Sequence, residues 1–310
     1  MSEQEHPSVT ALPDELLVLD GTAMLFRAYY SIRYQSPNGI EVGAMLGVSQ
    51  DLAKICRRLN PRHVLIAFDA GQKTFRNDID PRYKANRGAP PEDLVPQFEW
   101  VRMMVDTLGF WHEMKVGVEA DDIMATAAHL ARASGMRSRV RALDKDLWQL
   151  VNDAPPPTVL EDPRTNASVR ERDVLAKFQV PVTKLRDYFA LVGDSSDNIP
   201  GAAGVGPKAA AALLQHFPNI DSMYNGLGEV ETLSVRGAKS LGKKVDASRD
   251  EVLLARTLVS LKYDVEINAH PSTLRQKSQW TGPTEHAQRL FHRMGFQGGL
   301  PSLMQTAYGE

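Results

Sequence analysis

The 310-residue sequence lacks features that mark several common classes of protein. A single cysteine, Cys56, excludes an intramolecular disulfide and a cysteine-based zinc finger, and it suits a reducing compartment. No apolar run approaches the roughly 20 residues that a membrane-spanning helix needs. The first ten residues hold two glutamates and a proline and have no apolar core, so we expect no signal peptide. We therefore expect a globular protein of the cytoplasm with no membrane partner.

The sequence also lacks the net positive charge typical of many nucleic-acid-binding proteins, since its formal net charge is −2. A basic segment is nevertheless present. One window of fifteen residues contains only two acids, Asp78 and Asp80, and five cations, namely Lys73, Arg76, Arg82, Lys84 and Arg87. A local patch is enough to hold phosphates, because the local field acts at contact distance. The interleaved Phe75 and Tyr83 favour a segment that clamps a phosphate backbone and stacks a base on Tyr83. A solvated loop is the alternative interpretation.

Acidic residues open a segment of good helix formers that runs to Leu130. Glu119, Asp121 and Asp122 stand in the first turn of this predicted helix, whose amino end favours anions. Three acids exceed what capping needs, and at 3.6 residues per turn Glu119 and Asp122 share a face while Asp121 points about 100° away. The crowding of like charges indicates a bound cation. An acid-rich first turn in solvent is the alternative.

Aspartates also follow three predicted strands. Apolar runs end at Asp20, at Asp69 and shortly before Asp144 and Asp146, as buried strands of a parallel sheet would. Ligand sites of open α/β sheets lie beyond the carboxyl ends of the strands. The segment 192–198 adds two more acids. The sequence thus predicts a site with oxygen ligands only, which favours Mg²⁺ or Mn²⁺ over zinc. Its nine carboxylates are Asp20, Asp69, Glu119, Asp121, Asp122, Asp144, Asp146, Asp194 and Asp197.

A glycine-rich turn precedes a predicted helix that has Pro207 in its first turn. Gly201, Gly204 and Gly206 expose successive backbone amides, which bind phosphate without reading sequence, and Lys208 lies beside them. The later helical stretch 232–261 carries Arg236, Lys239, Lys243 and Lys244. A solvated helical face is favoured there over a second phosphate patch.

Two other segments give weaker expectations. Arg139 and Arg141 alternate with apolar residues, which predicts either an edge-like strand or a strand whose arginines meet acids. Trp111 and Val116 read as part of the connection that leads to the acidic helix.

Taken together, these motifs resemble the bacterial 5′-nuclease family, which comprises stand-alone flap endonucleases and the amino-terminal 5′→3′ exonuclease domain of DNA polymerase I. The resemblance runs from about Leu16 to Phe296. It rests on five ordered blocks, namely Phe68-Asp69 with Thr74-Phe75-Arg76, Tyr83-Lys84-Ala85-Asn86-Arg87, Glu119-Ala120-Asp121-Asp122, Asp144-Lys145-Asp146 and Gly193-Asp194-Ser195-Ser196-Asp197-Asn198-Ile199-Pro200-Gly201. Arg141-Ala142-Leu143 departs from the Thr-Gly or Thr-Ala common there, which puts the strand packing in question.

The resemblance implies an α/β fold in which a mostly parallel central sheet is flanked by helices. It implies a flexible tail over 1–14, a nuclease core over 15–180 with a helical arch at about 72–95, and a helical DNA-binding region over 181–310 with a helix-three-turn-helix at about 185–217. Asp20, Asp69, Glu119, Asp121 and Asp122 match the first metal cluster of the family, and the other four acids match the second. A K⁺ ion held by backbone carbonyls near Ala203 and Val205 is also implied.

The implied activity is that of a structure-specific 5′ nuclease in DNA replication and repair. It would hydrolyse DNA phosphodiesters with two or more divalent ions to a 5′-phosphate and a 3′-hydroxyl, as a monomer. Its DNA partners would be 5′ flaps, nicked or branched duplexes and RNA-primed ends. The residues expected at the scissile phosphate and the 5′ strand are Arg27, Arg76, Lys84 and Arg87, with Phe75 and Tyr83 beside them. The alternatives are a DNA-binding paralogue with weak or no nuclease activity, and a metal-dependent phosphatase.

Overall fold

A computed structural model describes residues 14–296 and Leu303 of the chain. The tail expected over 1–14 lies outside the described residues except for Asp14, as does most of the chain beyond 296. A six-stranded sheet in the order β3-β2-β1-β4-β5-β6 forms the centre of the molecule. The strands are β1 (Glu15–Asp20), β2 (His63–Thr74), β3 (Trp111–Gly117), β4 (Arg137–Arg141), β5 (Thr158–Glu161) and β6 (Ser168–Val169).

The sheet is parallel except for its last pair, in which β5 and β6 run antiparallel. In β1, Asp20 pairs in register with Ala67 of β2, so the carboxyl ends of the strands meet at one edge. This edge carries Asp20 at the end of β1 and Asp69 within β2, which continues to Thr74. The parallel arrangement confirms the expected fold class and gathers these acids as the sequence predicted.

Helices cover both faces of the sheet and form the carboxyl-terminal half of the chain. They are α1 (Gly21–Ser31), α2 (Gly43–Leu59), α3 (Phe75–Ile79), α4 (Val95–Thr107), α5 (Ala120–Ala133), α6 (Glu171–Phe178), α7 (Leu185–Val192), α8 (Pro207–His216), α9 (Ile220–Asn225), α10 (Ala238–Ala247), α11 (Arg249–Leu258), α12 (Leu274–Ser278) and α13 (Glu285–Met294). Short 3₁₀ turns lie at Asp146–Leu150, Val182–Lys184 and Leu227–Thr232. None of the helices among the described residues has the length and apolar content to cross a membrane.

Alternate residues of β1 face two different cores, as the period-two geometry of a strand requires. Leu16 and Val18 pack against α5 and the carboxyl-terminal helices. Leu17 and Leu19 pack against α1, α2 and α4. Both cores are fully buried at these positions, so β1 is held rigidly and its last residue, Asp20, has a fixed place.

Three segments differ from the sequence expectations. The sequence predicted a connection from Trp111, but this stretch is the edge strand β3, whose second half, from Met114 to Val116, is exposed. The edge-strand alternative for β4 is wrong, because β4 lies between β1 and β5. Its arginines meet acids instead, since Arg139 and Arg141 both bond the fully buried Glu161. The segment expected as a helical arch contains α3 and a series of turns.

Candidate active site

Two aspartates at the carboxyl edge of the sheet are fixed by backbone hydrogen bonds. Asp20 caps α1, and its Oδ1 accepts a hydrogen bond from the amide of Ala23 at 2.8 Å. Asp69 Oδ1 accepts one from the amide of Ala120 at 2.8 Å, which ties β2 to the start of α5. Burial raises the pKa of Asp20 to about 7, with a further contribution from the charges of Asp69 and Asp144. Burial likewise raises the pKa of Asp69, and the nearby Glu119 adds to the effect.

Three more aspartates share this electrostatic environment. Burial and the charges of Asp144 and Asp20 raise the pKa of Asp121 well above its usual value. Burial raises the pKa of Asp144 and also that of Asp146, the latter to about 7 with repulsion from Asp144. Among the described residues, no lysine, arginine or histidine forms an ion pair with any member of a set that we name the unpaired carboxylates: Asp20, Asp69, Asp121, Asp144 and Asp146.

The unpaired carboxylates suit divalent metal ions chemically. Their donors are all carboxylate oxygens, the set that hard cations prefer. Asp146 Oδ1 is buried and has no hydrogen-bond partner within residues 14–296, and such an orphaned acceptor is costly unless a ligand satisfies it. As the side chains stand, no three Asp, Glu, His or Cys residues in the described part of the chain form a set that could hold a metal ion. Binding would therefore require the mutually repelling carboxylates to turn towards a common centre.

The remaining four acids, which we name the paired carboxylates, are Glu119, Asp122, Asp194 and Asp197. Asp122 is fully buried and is held by Arg76, whose Nη1 and Nη2 donate to its two oxygens at 2.7 and 2.8 Å. Arg76 also donates to Glu119 at 2.9 Å and to the carbonyls of Leu258 and Ser260. Asp122 accepts a further hydrogen bond from the amide of Lys262 at 3.0 Å.

This placement corrects the role expected for Arg76 at a DNA phosphate. The residue is 2% exposed, and its guanidinium is surrounded by protein acceptors. Arg76 therefore links α3, α5 and the end of α11 inside the protein. Asp122 also differs from expectation, because the structure places it opposite Arg76 with its oxygens already hydrogen-bonded, and not among the unpaired carboxylates.

Lys84 stands between the two predicted clusters. Its Nζ donates to Glu119 Oε1 at 2.5 Å and lies 3.7 Å from Asp197 Oδ2. Burial alone would lower the pKa of Lys84, but the carboxylates of Glu119 and Asp197 outweigh it, so the pKa is raised and the residue stays charged. Lys84 has a left-handed backbone with φ of 53°, and its amide donates to the carbonyl of Asp197.

Arg87 and Lys145 hold the acids of the loop after α7. Arg87 forms an ion pair with Asp197, and its side chain is 53% exposed. Lys145 Nζ lies 2.6 Å from Asp194 Oδ2. Burial would raise the pKa of Asp194, but hydrogen bonds from Lys145 and Ser196 outweigh it and lower the pKa. The basic segment around Lys84 and the loop after α7 are thus bound to each other through charged side chains.

Two aromatic residues do not have the exposure expected of a base-stacking surface. Tyr83 is 3% exposed, and its hydroxyl donates to Glu119 at 3.0 Å, so its ring is unavailable to a nucleotide base. Phe75 is partly buried, with the guanidinium of Arg76 and the ammonium of Lys262 against its ring. The stacking predicted for Tyr83 is therefore wrong, because the ring packs into the core and its hydroxyl is bonded to Glu119.

Arg27 lies on α1 near the same edge of the sheet. Its Nη2 forms an ion pair with Asp51 at 2.6 Å, and its charge opposes the raised pKa of Asp20. Together with Asp20, Arg141 and Leu143 it lines a small depression beside the acids. Arg27 is therefore close to the unpaired carboxylates without being bound to any of them.

The glycine-rich turn joins α7 to α8 next to the paired carboxylates. Gly201 is required by close packing, since a Cβ there would lie 2.5 Å from the carbonyl carbon of Val192. Gly204 has φ of 74°, the left-handed region that favours glycine, and Gly206 caps α8. Ala203, Gly204, Gly206 and Lys208 are exposed, whereas Val205 is buried. The turn therefore presents backbone and one cation to solvent.

A basic surface continues from this turn onto α10. The residues Arg236, Lys239, Lys243 and Lys244 are all exposed. Lys244 Nζ lies 3.5 Å from the position that a Cβ of Gly204 would occupy. Ser248, which the sequence did not single out, accepts a hydrogen bond from the amide of Ala203 at 3.0 Å and fixes the turn against α11.

Two further residues escaped the sequence analysis. Glu161 is fully buried and bonded by Arg58, Arg139 and Arg141, which explains how β4 tolerates its arginines. Lys145 was read only as part of a motif, although its position between two crowded acids indicates a counter-ion. The alternation of Arg139 and Arg141 predicted acidic partners, but nothing local in the sequence identified Glu161 as that partner.

Curated relatives of known name match most of the chain. It is 35% identical over 264 residues to DNA polymerase I of Rhizobium leguminosarum, covering 82% of this chain and 25% of that protein. It is 33% identical over 298 residues to DNA polymerase I of Mycobacterium bovis, covering 94% of this chain and 32% of that protein. The chain thus spans about a quarter to a third of the length of these relatives.

Solved structures share the fold. The T5 D15 flap endonuclease from bacteriophage T5, in a pseudo-enzyme-product complex with DNA and metal ions, superposes with a TM-score of 0.65 at 20% identity, covering 94% of this chain and 99% of that chain. The catalytic core of Rad2 in complex with DNA substrate gives a TM-score of 0.54 at 14% identity, covering 91% and 92% of the two chains. At these identities the likeness shows the fold alone.

Two family models divide nearly the whole described chain between them. Residues 15–179 match the 5′-3′ exonuclease N-terminal resolvase-like domain. Residues 180–281 match the 5′-3′ exonuclease C-terminal SAM fold, which contains the glycine-rich turn. With both models matched in order and relatives above 30% identity over most of its length, the chain belongs to the 5′-3′ exonuclease family, a family of nucleases.

Proposed function

We propose that this chain hydrolyses DNA phosphodiesters as a structure-specific 5′→3′ exonuclease and flap endonuclease that depends on divalent metal ions. The observation that carries the proposal is the set of five unpaired carboxylates at the carboxyl edge of the sheet, three of which, Asp69, Asp121 and Asp144, lie within the field of the Lys84 charge. The solved relatives that bind DNA and metal ions have the same fold, which supports this reading. Primer or flap removal in DNA replication and repair is the proposed role.

The unpaired carboxylates are the proposed ligands of two or more Mg²⁺ or Mn²⁺ ions. Bound there, such ions would supply positive charge at the scissile phosphate and an activated water. Bound cations would stabilise the charged forms of these acids, which burial and mutual repulsion otherwise disfavour. Of the paired carboxylates, Asp194 and Asp197 are proposed as further ligands, whereas Glu119 and Asp122 position Lys84 and Arg76.

Lys84 and Arg87 are the proposed contacts to the phosphate that reacts and to the 5′ strand. Both are charged and both lie beside Asp197, and Arg87 is half exposed. The charge of Lys84 also acts on three unpaired carboxylates, Asp69, Asp121 and Asp144. Because hydrolysis builds negative charge on phosphate oxygens, a cation fixed at this position stabilises the transition state more than the ground state. Arg27, which lines a depression together with Asp20, is proposed as a neighbouring contact.

The glycine-rich turn is the proposed holder of duplex DNA. Exposed backbone at Gly204 and Gly206, with Lys208 and Lys244 beside it, suits phosphate oxygens and reads no sequence. Binding of this kind weakens steeply with salt. A K⁺ ion near Ala203 and Val205, a monomeric state and a cytoplasmic location stay predictions of the sequence.

The alternative is a DNA-binding paralogue that has lost its nuclease activity. The presence of all nine acids disfavours it. The phosphatase alternative does not account for the basic surface on α10 and the glycine-rich turn.

The test compares cleavage and binding in two variants. End-labelled flap, nicked and single-stranded DNA would be incubated with Mg²⁺, Mn²⁺ or chelator, and the cuts mapped. We expect Asp121→Asn to lower cleavage by at least about 1000-fold while DNA affinity stays within a few-fold. Asp221→Asn is the control, because Asp221 lies on the surface, paired with Arg256. Undiminished turnover of Asp121→Asn at saturating Mg²⁺ would refute the proposal.

A further inference from the structure

Lys145 connects two parts of the site that are far apart in the sequence. It lies between Asp144 and Asp146 in the turn after β4, and its side chain reaches the loop after α7. There its Nζ lies 2.6 Å from Asp194 Oδ2 and 5.6 Å from the centre of the Phe189 ring. The ammonium thus neutralises Asp194 at the place where the two halves of the chain meet.

The two oxygens of Asp194 are engaged differently. Oδ1 accepts hydrogen bonds from the amide of Ser196 at 2.8 Å and from its hydroxyl at 2.6 Å. These bonds are local and fix the carboxylate within its own loop. Oδ2 is the oxygen that Lys145 occupies. A divalent ion that used Oδ2 would therefore have to replace the ammonium.

Lys145 is far easier to displace than Arg76. The Arg76 side chain is 3% exposed and bonded to two carboxylates and two carbonyls, so its release would leave several buried groups unsatisfied. The Lys145 side chain is 39% exposed and forms an ion pair with one carboxylate in the described part of the chain. A long flexible side chain of this kind can move into water and keep its charge solvated.

We propose that Lys145 is the counter-ion of Asp194 in the metal-free protein and that a divalent ion displaces it when Asp194 becomes a ligand. The inference rests on the proposed function and deepens it. Lys145 then acts as a positioning residue that holds Asp194 against mutual repulsion while no ion is bound. It also weakens binding of that ion, because the ion competes with a resident positive charge.

The first experiment measures Mn²⁺ binding without DNA, by electron paramagnetic resonance or calorimetry. We expect Lys145→Met to bind Mn²⁺ at one class of sites about ten- to a hundredfold more tightly than wild type does, because the competing charge is gone. Lys145→Arg keeps that charge and should bind as wild type does. Lys277→Met is the matched control, since it removes an equal charge from an exposed lysine on α12, over Trp111. Unchanged or weaker binding in Lys145→Met would overturn the proposal.

A reference variant separates this inference from the proposed function. If wild type binds no Mn²⁺, the proposed function itself fails. If wild type binds Mn²⁺ and Asp146→Asn loses it, but Lys145→Met binds as wild type does, only the role of Lys145 fails.

A second measurement follows displacement in the wild-type protein itself and needs only the conservative variant Lys145→Arg, which keeps the charge, to assign one signal. Nuclear magnetic resonance of lysine ammonium groups would follow the Lys145 signal, assigned by its absence in Lys145→Arg. We expect this signal to shift on addition of Mg²⁺. The shift should be half complete at the Mg²⁺ concentration at which half of the sites are occupied. A Lys145 signal that stays in place while Mg²⁺ binds would contradict displacement.

Discussion

The unpaired and the paired carboxylates have the same chemistry and lie within one site, yet they differ in whether a cation of the chain neutralises them. Each paired carboxylate forms an ion pair with a cation of this chain, whereas no described residue forms an ion pair with any of the unpaired carboxylates. The pKa values of all five unpaired acids are raised by burial. The comparison teaches that Glu119 and Asp122, which are bonded to the buried Arg76, hold the fold together. Acids that have no charged partner, or one that is partly exposed, as Lys145 and Arg87 are, remain available to a ligand.

The largest expected effect comes from breaking the most buried pair. Arg76→Met leaves the fully buried Asp122 without the cation that pairs with it and leaves Glu119 with Lys84 alone. We expect the free energy of unfolding to fall by about 3–5 kcal/mol, as for other buried pairs from which one partner is removed. Chemical denaturation at constant Mg²⁺ measures it.

Arg82→Met is the matched control for that experiment. Arg82 also pairs with an aspartate, Asp80, but its side chain is 64% exposed. We expect a change of at most about 1 kcal/mol, because solvent screens exposed pairs. Equal effects of the two variants would show that burial does not distinguish the paired carboxylates.

Lys84 tests whether a cation next to a paired carboxylate can also serve catalysis. In Lys84→Met, Glu119 keeps its bonds to Arg76 and Tyr83, so the fold should persist. We expect cleavage to fall by about a hundredfold or more at saturating Mg²⁺, because one charge facing the phosphate is lost. Single-turnover kinetics on a flap substrate would measure it. A loss of stability with full activity would place Lys84 with Arg76 as a structural residue.

The unpaired carboxylates should make the metal-free protein sensitive to pH. The pKa of Asp20 rises from 3.8 to about 7 on folding, so its stabilising protonation is complete below 3.8 and is lost as the pH rises through about 7. Asp20→Asn removes this charge and keeps an amide oxygen that can cap α1. In chelator above pH 7 we expect the variant to be about 2 kcal/mol more stable than wild type.

Thermal melting in chelator across this pH range measures that difference. Asp162→Asn is the control, because Arg164 lowers the pKa of Asp162 to about 2, and its contribution is therefore constant near neutral pH. A wild-type protein whose stability does not fall between pH 5 and 8 would contradict the repulsion inferred for the unpaired carboxylates.

The smallest effect concerns Tyr83. Tyr83→Leu removes a buried ring and a hydrogen bond to Glu119, which should cost on the order of 1–2 kcal/mol. Affinity for single-stranded DNA should stay within about twofold, because the ring is inside the protein. Fluorescence anisotropy measures the affinity. A tenfold loss would mean that the ring leaves the core to meet a base.

The sequence predicted the convergence of the acids because strand and helix ends are local features. Apolar runs that stop at Asp20 and Asp69, and a helix that begins with acids, leave few places for these side chains in a parallel sheet. The strand β3 was missed because Lys115 and Val116 are exposed at a sheet edge, so the alternation that marks a half-buried strand is broken.

The partners of the charges could not be predicted in the same way. Arg76 and Asp122 are 46 residues apart, and no local pattern distinguishes an arginine that faces DNA from one that lies beneath the site. A basic segment next to acids fits both readings. Only the packing of α3 against α5 and the end of α11 decides between them, and such packing depends on the whole chain.

The bonds from Arg76 to the carbonyls of Leu258 and Ser260, and from Lys262 to Asp122, cross the boundary between the two matched domains. A fragment that ended near residue 180 would retain α5 and its acids but would lose the acceptors that hold Arg76 in place. The amino-terminal domain therefore depends on residues of the carboxyl-terminal domain to keep Arg76 in place. Transplanting it onto a foreign partner would require residues 258–262 to travel with it.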